Sequence, residues 1–150
     1  MSDKKTIVIG ADHGGFSLKE DLIKYLKSHN YNVIDKGTYS EASCDYPDIA
    51  NEVVNTLLST PNAAGIIICG TGIGISIAAN RNPKIRAALC HDEYTARMSR
   101  EHNDANILAL GARILSVDKA ITIMDIFLTT PFSNEERHKN RVNKLGNSSC

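Results

Sequence analysis

A cysteine followed by alternating glycines, Cys69-Gly70-Thr71-Gly72-Ile73-Gly74, closes an apolar run that begins at Ile66. A thiol surrounded by backbone N–H groups is a side chain able to carry a proton near neutral pH. Gly70, Gly72 and Gly74 let the backbone approach a ligand and turn N–H groups inward, and the segment from Ser76 reads as a helix whose positive end faces the same point. The combination suits chemistry on an anion. Taken alone, it also fits a tight strand-to-helix turn around a structural cysteine.

Three further clusters carry ionisable groups. Asp12-His13-Gly14-Gly15 follows an apolar run and reads either as an acid–base pair or as a hydrogen-bonded turn. His102, Asn103 and Asp104 lie in a polar connection, where a histidine is more often solvated than chemical. Arg137 and Arg141 are four apart, a spacing that aligns two guanidinium groups on one helix face for a phosphate; pairing with Glu135 and Glu136 is the competing reading. This last helix, about 134–145, has only Val142 and Leu145 as apolar residues, so it is expected to dock on another surface, such as a second subunit.

The elements that must position these groups follow a βαβ rhythm. Strands are predicted at Thr6–Gly10, Asn32–Asp35, Gly65–Cys69, Arg86–Cys90 and Ile107–Leu110. Between them, Ser17 and Glu20 suggest a capping box ahead of Leu18, Leu22, Ile23 and Leu26, Pro47 opens a second helix, Asp92 caps another, and a helix runs from about Val117 to Leu128. Near-continuous apolar strands imply burial on both faces. The fold class is therefore α/β, a three-layer α/β/α sandwich around a Rossmann-like five-stranded parallel sheet, with ligands beyond the carboxyl ends of the strands.

Composition narrows the function. The 150 residues fit one domain, and 17 Lys plus Arg against 17 Asp plus Glu leave no net charge to attract nucleic acid or an acidic membrane. The opening MSDKKTIVIG has too short an apolar run for a signal peptide, so a cytoplasmic location is expected. Cys44, Cys69, Cys90 and Cys150 show no CxxC spacing, and neither a disulfide framework nor a metal site is expected.

Taken together, Asp12-His13-Gly14-Gly15, Asp45-Tyr46-Pro47-Asp48, Cys69 to Asn80, His102 to Asn106 and Arg137 to Arg141 closely resemble the type B ribose-5-phosphate isomerase family, over Ile7 to about Leu145. The resemblance implies a cofactor-free and metal-free interconversion of ribose 5-phosphate and ribulose 5-phosphate in the pentose phosphate pathway, by a homodimer or homotetramer with shared active sites. It also implies roles. Cys69 matches the base that moves a proton between C2 and C1, His102 the acid that opens the sugar ring, and Arg113, Arg137 and Arg141 the phosphate-binding arginines. Asp12, His13 and Asn103 match substrate contacts, Tyr46 either lines the pocket or serves in packing, and the backbone of Gly70, Thr71, Gly72, Ile73 and Gly74 is expected to face the developing oxyanion, where such donors contribute about 3 kcal/mol each. From its adjacency to these groups in the sequence, Thr71 is expected to assist proton exchange between the two oxygens.

Alternatives are an isomerase of allose or galactose 6-phosphate, within the same family, and a non-catalytic nucleotide-binding module. A phosphocysteine phosphatase would need an arginine six positions after the cysteine, where this chain has Ile75. A nucleotide binder would need the Walker lysine or GxGxxG spacing, and the loop has neither.

Overall fold

The computed structural model describes residues 4–146. Five parallel strands, β1 (Thr6–Ala11), β2 (Asn32–Asp35), β3 (Ala63–Cys69), β4 (Ala87–Leu89) and β5 (Ile107–Gly111), form one sheet in the order β2-β1-β3-β5-β4. The helices are α1 (Phe16–Ser28), α2 (Tyr46–Leu58), α3 (Ile73–Ala79), α4 (Glu93–Glu101), α5 (Val117–Thr129) and α6 (Glu136–Lys144).

Alternation along each strand divides the core in two. Ile7, Ile9, Ile66, Ile68, Leu108 and Leu110 face α1, α4 and α5, while Val8, Ile67, Cys69, Ile107 and Ala109 face α2 and α3. Each fully buried leucine or isoleucine on these faces contributes roughly 1.5–3 kcal/mol of transfer free energy. Helices thus cover both faces of the sheet, as an α/β/α sandwich requires.

The strand order locates the site. From β1 the chain moves outward to β2, then returns past β1 to β3, so the connections diverge between β1 and β3 and leave a crevice beyond their carboxyl ends. Asp12 follows β1 and Cys69 ends β3. The two candidate clusters farthest apart among the early motifs are therefore neighbours, and the Asp12 N–H donates to the Ile68 carbonyl at 3.0 Å.

Several expected details differ. The Ser17–Glu20 capping box is not formed: α1 begins at Phe16 behind Gly15 with no side-chain cap, because a 3-10 turn over His13–Gly15 feeds directly into it and Asp12 caps that turn. Burial on both faces holds for β1, β3 and β5 but not for the edge strands β2 and β4, whose residues stay partly exposed. Strand β4 is also shorter than Arg86–Cys90, since among the described residues it pairs with β5 alone, in register from Ala87–Ile107 to Leu89–Ala109. Asp92 does cap α4, its carboxylate accepting from the Thr95 N–H at 2.7 Å, and these Thr95 hydrogen bonds hold its carboxyl below the usual range. Cys44, Cys69 and Cys90 are free thiols, and Cys150 lies outside the described residues. Among the described residues, no helix is long and apolar enough to cross a membrane.

Candidate active site

At the end of β1, Asp12 is buried and its Oδ1 accepts from the N–H groups of Gly14 (2.9 Å) and Gly15 (3.2 Å). The hydrogen-bonded turn is thus formed, with His13 as its first residue. Gly15 allows the turn to lie directly on β3: a Cβ there would stand 2.6 Å from Ile68 Cγ2. The half-buried His13 accepts through Nδ1 from the Cys44 N–H at 3.2 Å.

At the end of β3, Cys69 is 5% exposed and the Gly72 N–H donates to its Sγ at 3.1 Å. Gly72 has φ +79°, and a Cβ would meet Leu89 Cδ1 at 2.5 Å, so conformation and space both require glycine. Helix α3 opens at Ile73, one turn earlier than the segment from Ser76 suggested; Ser76 is buried inside it and donates to the Ile73 carbonyl at 2.8 Å. The exposed Thr71 accepts through Oγ1 from the Ile73 N–H at 3.2 Å, which leaves its own O–H proton unassigned.

Arg113, just beyond β5, joins the two loops. Its N–H donates to the Gly70 carbonyl at 2.9 Å, and its guanidinium passes so close that a Cβ would lie 2.8 Å from Nη1 at Gly70 and 3.4 Å from Nη2 at Gly14. Tyr46, at the start of α2, lays its ring over Gly74, where a Cβ would be 2.7 Å from Cζ. A cavity of about 400 Å³ opens beside it, lined by Tyr46, Asn51, Gly74, Ile77 and Arg81 among others. Asp12, His13, Tyr46, Cys69 to Gly74 and Arg113 thus converge on one edge of the sheet.

His102, Asn103, Arg137 and Arg141 do not join them. His102 ends α4 and precedes β5, whose last residue, Gly111, pairs with Cys69. The five residues of β5 alone separate the two levels by roughly 13 Å at about 3.3 Å per step. The loop is fixed where it stands: Arg86 Nε donates to the carbonyls of Asn103 (3.1 Å) and Asp104 (3.0 Å), and Arg100 Nη1 donates to Asp104 Oδ1 (2.9 Å) and the Ala105 carbonyl (2.7 Å).

Helix α6 joins this second cluster through a residue to which the sequence reading gave no role. The His138 ring stacks on that of His102, with centroids 4.2 Å apart and planes 13° from parallel. His138 is buried, its Nε2 has no hydrogen-bond partner among the described residues, and burial first, then the charges of His102 and Arg137, push its pKa below the ordinary histidine value. Val142 is half-buried and Leu145 is 53% exposed, so the two apolar residues of this segment bury little, and His138 is the side chain that α6 buries. Only its position between Arg137 and Arg141 in sequence hinted at this. Arg137 and Arg141 are exposed on the same helix, Arg137 pairing with Glu135.

A profile of the family described as Ribose/Galactose Isomerase matches residues 7–145. Ribose-5-phosphate isomerase B of Escherichia coli is 43% identical over 141 residues, covering 94% of this chain and 94% of that protein. The structure of ribose-5-phosphate isomerase B from Clostridium thermocellum superposes with a TM-score of 0.91 at 52% identity, covering 94% of this chain and 95% of that one. A ribose 5-phosphate isomerase from Thermotoga maritima gives a TM-score of 0.91 at 48% identity, with 95% and 97% covered. A matching profile over nearly the whole chain, this level of identity and the same fold lead to one conclusion: the chain belongs to the ribose/galactose isomerase family.

Proposed function

We propose that this chain interconverts ribose 5-phosphate and ribulose 5-phosphate through an enediolate. The observation that carries the reading is the placement of Cys69: a buried thiol at the switch point between β1 and β3, with the Gly72 N–H on its sulfur and the Arg113 guanidinium across the adjoining loop. In the open-chain aldose, Cys69 as thiolate takes the proton from C2 while the C1 carbonyl becomes an enediolate oxygen. The same thiol then returns the proton to C1, and the remaining hydroxyl proton passes between O2 and O1, a transfer in which Thr71 takes part. Backbone N–H groups of residues 70–74 other than those of Gly72 and Ile73, which already donate to Cys69 Sγ and Thr71 Oγ1, stabilise the charge that develops, a role in which one donor is worth about 3 kcal/mol.

The sugar rests mainly as a closed ring, so a proton must first reach the ring oxygen. His102 is the acid in this reading, Asp12, His13 and Asn103 contact the sugar, and Arg113, Arg137 and Arg141 hold the phosphate. Because Cys69 and His102 lie at opposite ends of one sheet, the reading requires a second copy to bring its His102, Asn103, Arg137 and Arg141 to the Cys69 edge. A two-fold dimer does this twice and yields two equal sites. Ile73 and Ile77, each 51% exposed on one face of α3, and Ile114, 58% exposed beside Arg113, give the Cys69 edge an apolar rim for that contact.

The experiment is a comparison of kcat/KM on ribose 5-phosphate, allose 6-phosphate and galactose 6-phosphate in the presence of EDTA. Preference for the pentose with undiminished activity is expected; preference for a hexose would move the assignment within the family. Thermal stabilisation by ATP or NAD but not by pentose phosphates would instead favour a nucleotide-binding module.

A further inference from the structure

Lys19, on the first turn of α1, is a charged residue whose side chain is fully buried. Its Nζ donates to both oxygens of Asp35 (2.8 and 2.7 Å) and to Glu20 Oε1 (3.1 Å), and it stands 5.4 Å and 5.6 Å from the ring centroids of Phe16 and Tyr39. Burying an ammonium is costly, and a methylene chain of the same length would fill the space without that cost. The charge therefore calls for an explanation in what its partner holds.

That partner holds the loop between β2 and α2. Asp35 Oδ1, besides receiving Lys19, accepts from the Gly37 N–H at 2.9 Å; Gly37 has φ +96° and its carbonyl accepts from the Ala11 N–H at 2.7 Å. The Thr38 N–H donates back to the Ala11 carbonyl at 2.6 Å, and Tyr39 closes the turn by donating its O–H to the Asp35 carbonyl at 3.0 Å. The loop is thus pinned to the residue that immediately precedes Asp12, and it continues to Cys44, whose N–H donates to His13 Nδ1.

A backbone N–H can only donate. His13 Nδ1 must therefore present its lone pair, and a neutral imidazole then carries its proton on Nε2. We propose that the Lys19–Asp35 pair is a positioning device: it holds the loop so that the Cys44 amide fixes His13 as the Nε2–H tautomer, making His13 a hydrogen-bond donor to an oxygen of the bound sugar phosphate. Lys19 and Asp35 touch no substrate in this scheme and act only through His13. The ligand side rests on the isomerase reading above, whereas the tautomer does not.

The test uses the ¹⁵N-labelled full chain without ligand, with His13 assigned among the five histidines by comparison with His13→Gln. Two-bond ¹H–¹⁵N correlations distinguish the tautomers. The wild type is expected to show His13 protonated on Nε2, and Lys19→Met to show a mixture; Asp35→Asn, which keeps the shape of the side chain, is expected to do the same and serves should Lys19→Met not fold. With ribose 5-phosphate, both variants are expected to raise KM about fivefold to tenfold, as loss of one hydrogen bond implies, with kcat within about twofold. A wild-type His13 protonated on Nδ1 overturns the proposal, and so does a folded variant that keeps the tautomer. Absence of activity on any pentose phosphate, with the tautomer as described, counts against the isomerase reading and leaves the positioning device standing.

Discussion

Mixing two inactive subunits puts the divided site to a direct test. Cys69→Ala removes the proposed base and His102→Asn the proposed acid, and in one chain these residues stand at opposite ends of β5, beyond reach of a single sugar. If each site takes Cys69 from one copy and His102 from the other, a mixed dimer contains one site with both defects and one with neither. Tandem purification on two different tags isolates that species, and its expected rate is about half that of the wild-type dimer; an unfractionated equal mixture, half of it mixed dimers, should give about a quarter. Appearance of ribulose 5-phosphate from ribose 5-phosphate is the assay, with each pure variant giving the background. The two structural levels are roughly 13 Å apart along the strand alone, far more than the few ångströms over which an acid and a base must both touch a five-carbon substrate. A verified mixed dimer no more active than the mean of its parents would refute the division, since complementation has no other geometric source here.

Single substitutions probe the remaining links. Cys69→Ala is expected to keep the fold, since one sulfur is lost from a small buried side chain, and to lower turnover of even the open-chain sugar by at least 100-fold, the lower range for loss of a positioned base; substantial turnover would move the base elsewhere. Arg137→Ala should raise KM far more than it lowers kcat, because the arginine is exposed and its proposed part is phosphate binding; an unchanged KM would return α6 to a solvated charged helix. Gly15→Ala places a methyl group 2.6 Å from Ile68 Cγ2 and should cost about 1–3 kcal/mol in denaturant unfolding, with unchanged stability ruling out the tight contact between turn and sheet. His138 is held below its ordinary pKa by burial, so the unfolded chain binds its proton more readily than the folded one: stability is undiminished above about pH 6.5 and falls as pH drops below it. His138→Phe keeps the stack on His102 and should flatten the decline of Tm over that interval; parallel curves for the two proteins would count against a neutral buried His138.

The sequence carried the chemistry of the site better than its arrangement, for a physical reason. Apolar runs and the residues that end them are local, so β1, β3 and β5 and the groups beyond them, Asp12, Cys69 and Arg113, could be read directly. Strand order depends on which faces find each other across the sheet, and only the pairing of β1 with β3 turns two distant motifs into neighbours. Nothing local marks Lys19, between Leu18 and Leu22, as buried, because its ion-pair partner Asp35 lies sixteen residues away at the end of another strand. The capping-box pattern at Ser17 and Glu20 was legible but wrong, since Asp12 had already supplied the cap one turn upstream.

Helix α6 shows how the missing information and the function are connected. A nine-residue helix carrying Arg137, Lys139, Arg141 and Lys144, and burying only one side chain, gains little from its own chain. The stack of His138 on His102 gives it one fixed point, at the loop held by Arg86 and Arg100. A fixed point there sets two arginines and a histidine in one constant relation, which the proposed mechanism requires for a phosphate at one end of the sugar and a ring oxygen at the other. Nothing on the same chain's Cys69 edge benefits from that rigidity. It has value only when this group is presented as a unit, and the exposed Ile73, Ile77 and Ile114 mark the edge to which a second copy would present it.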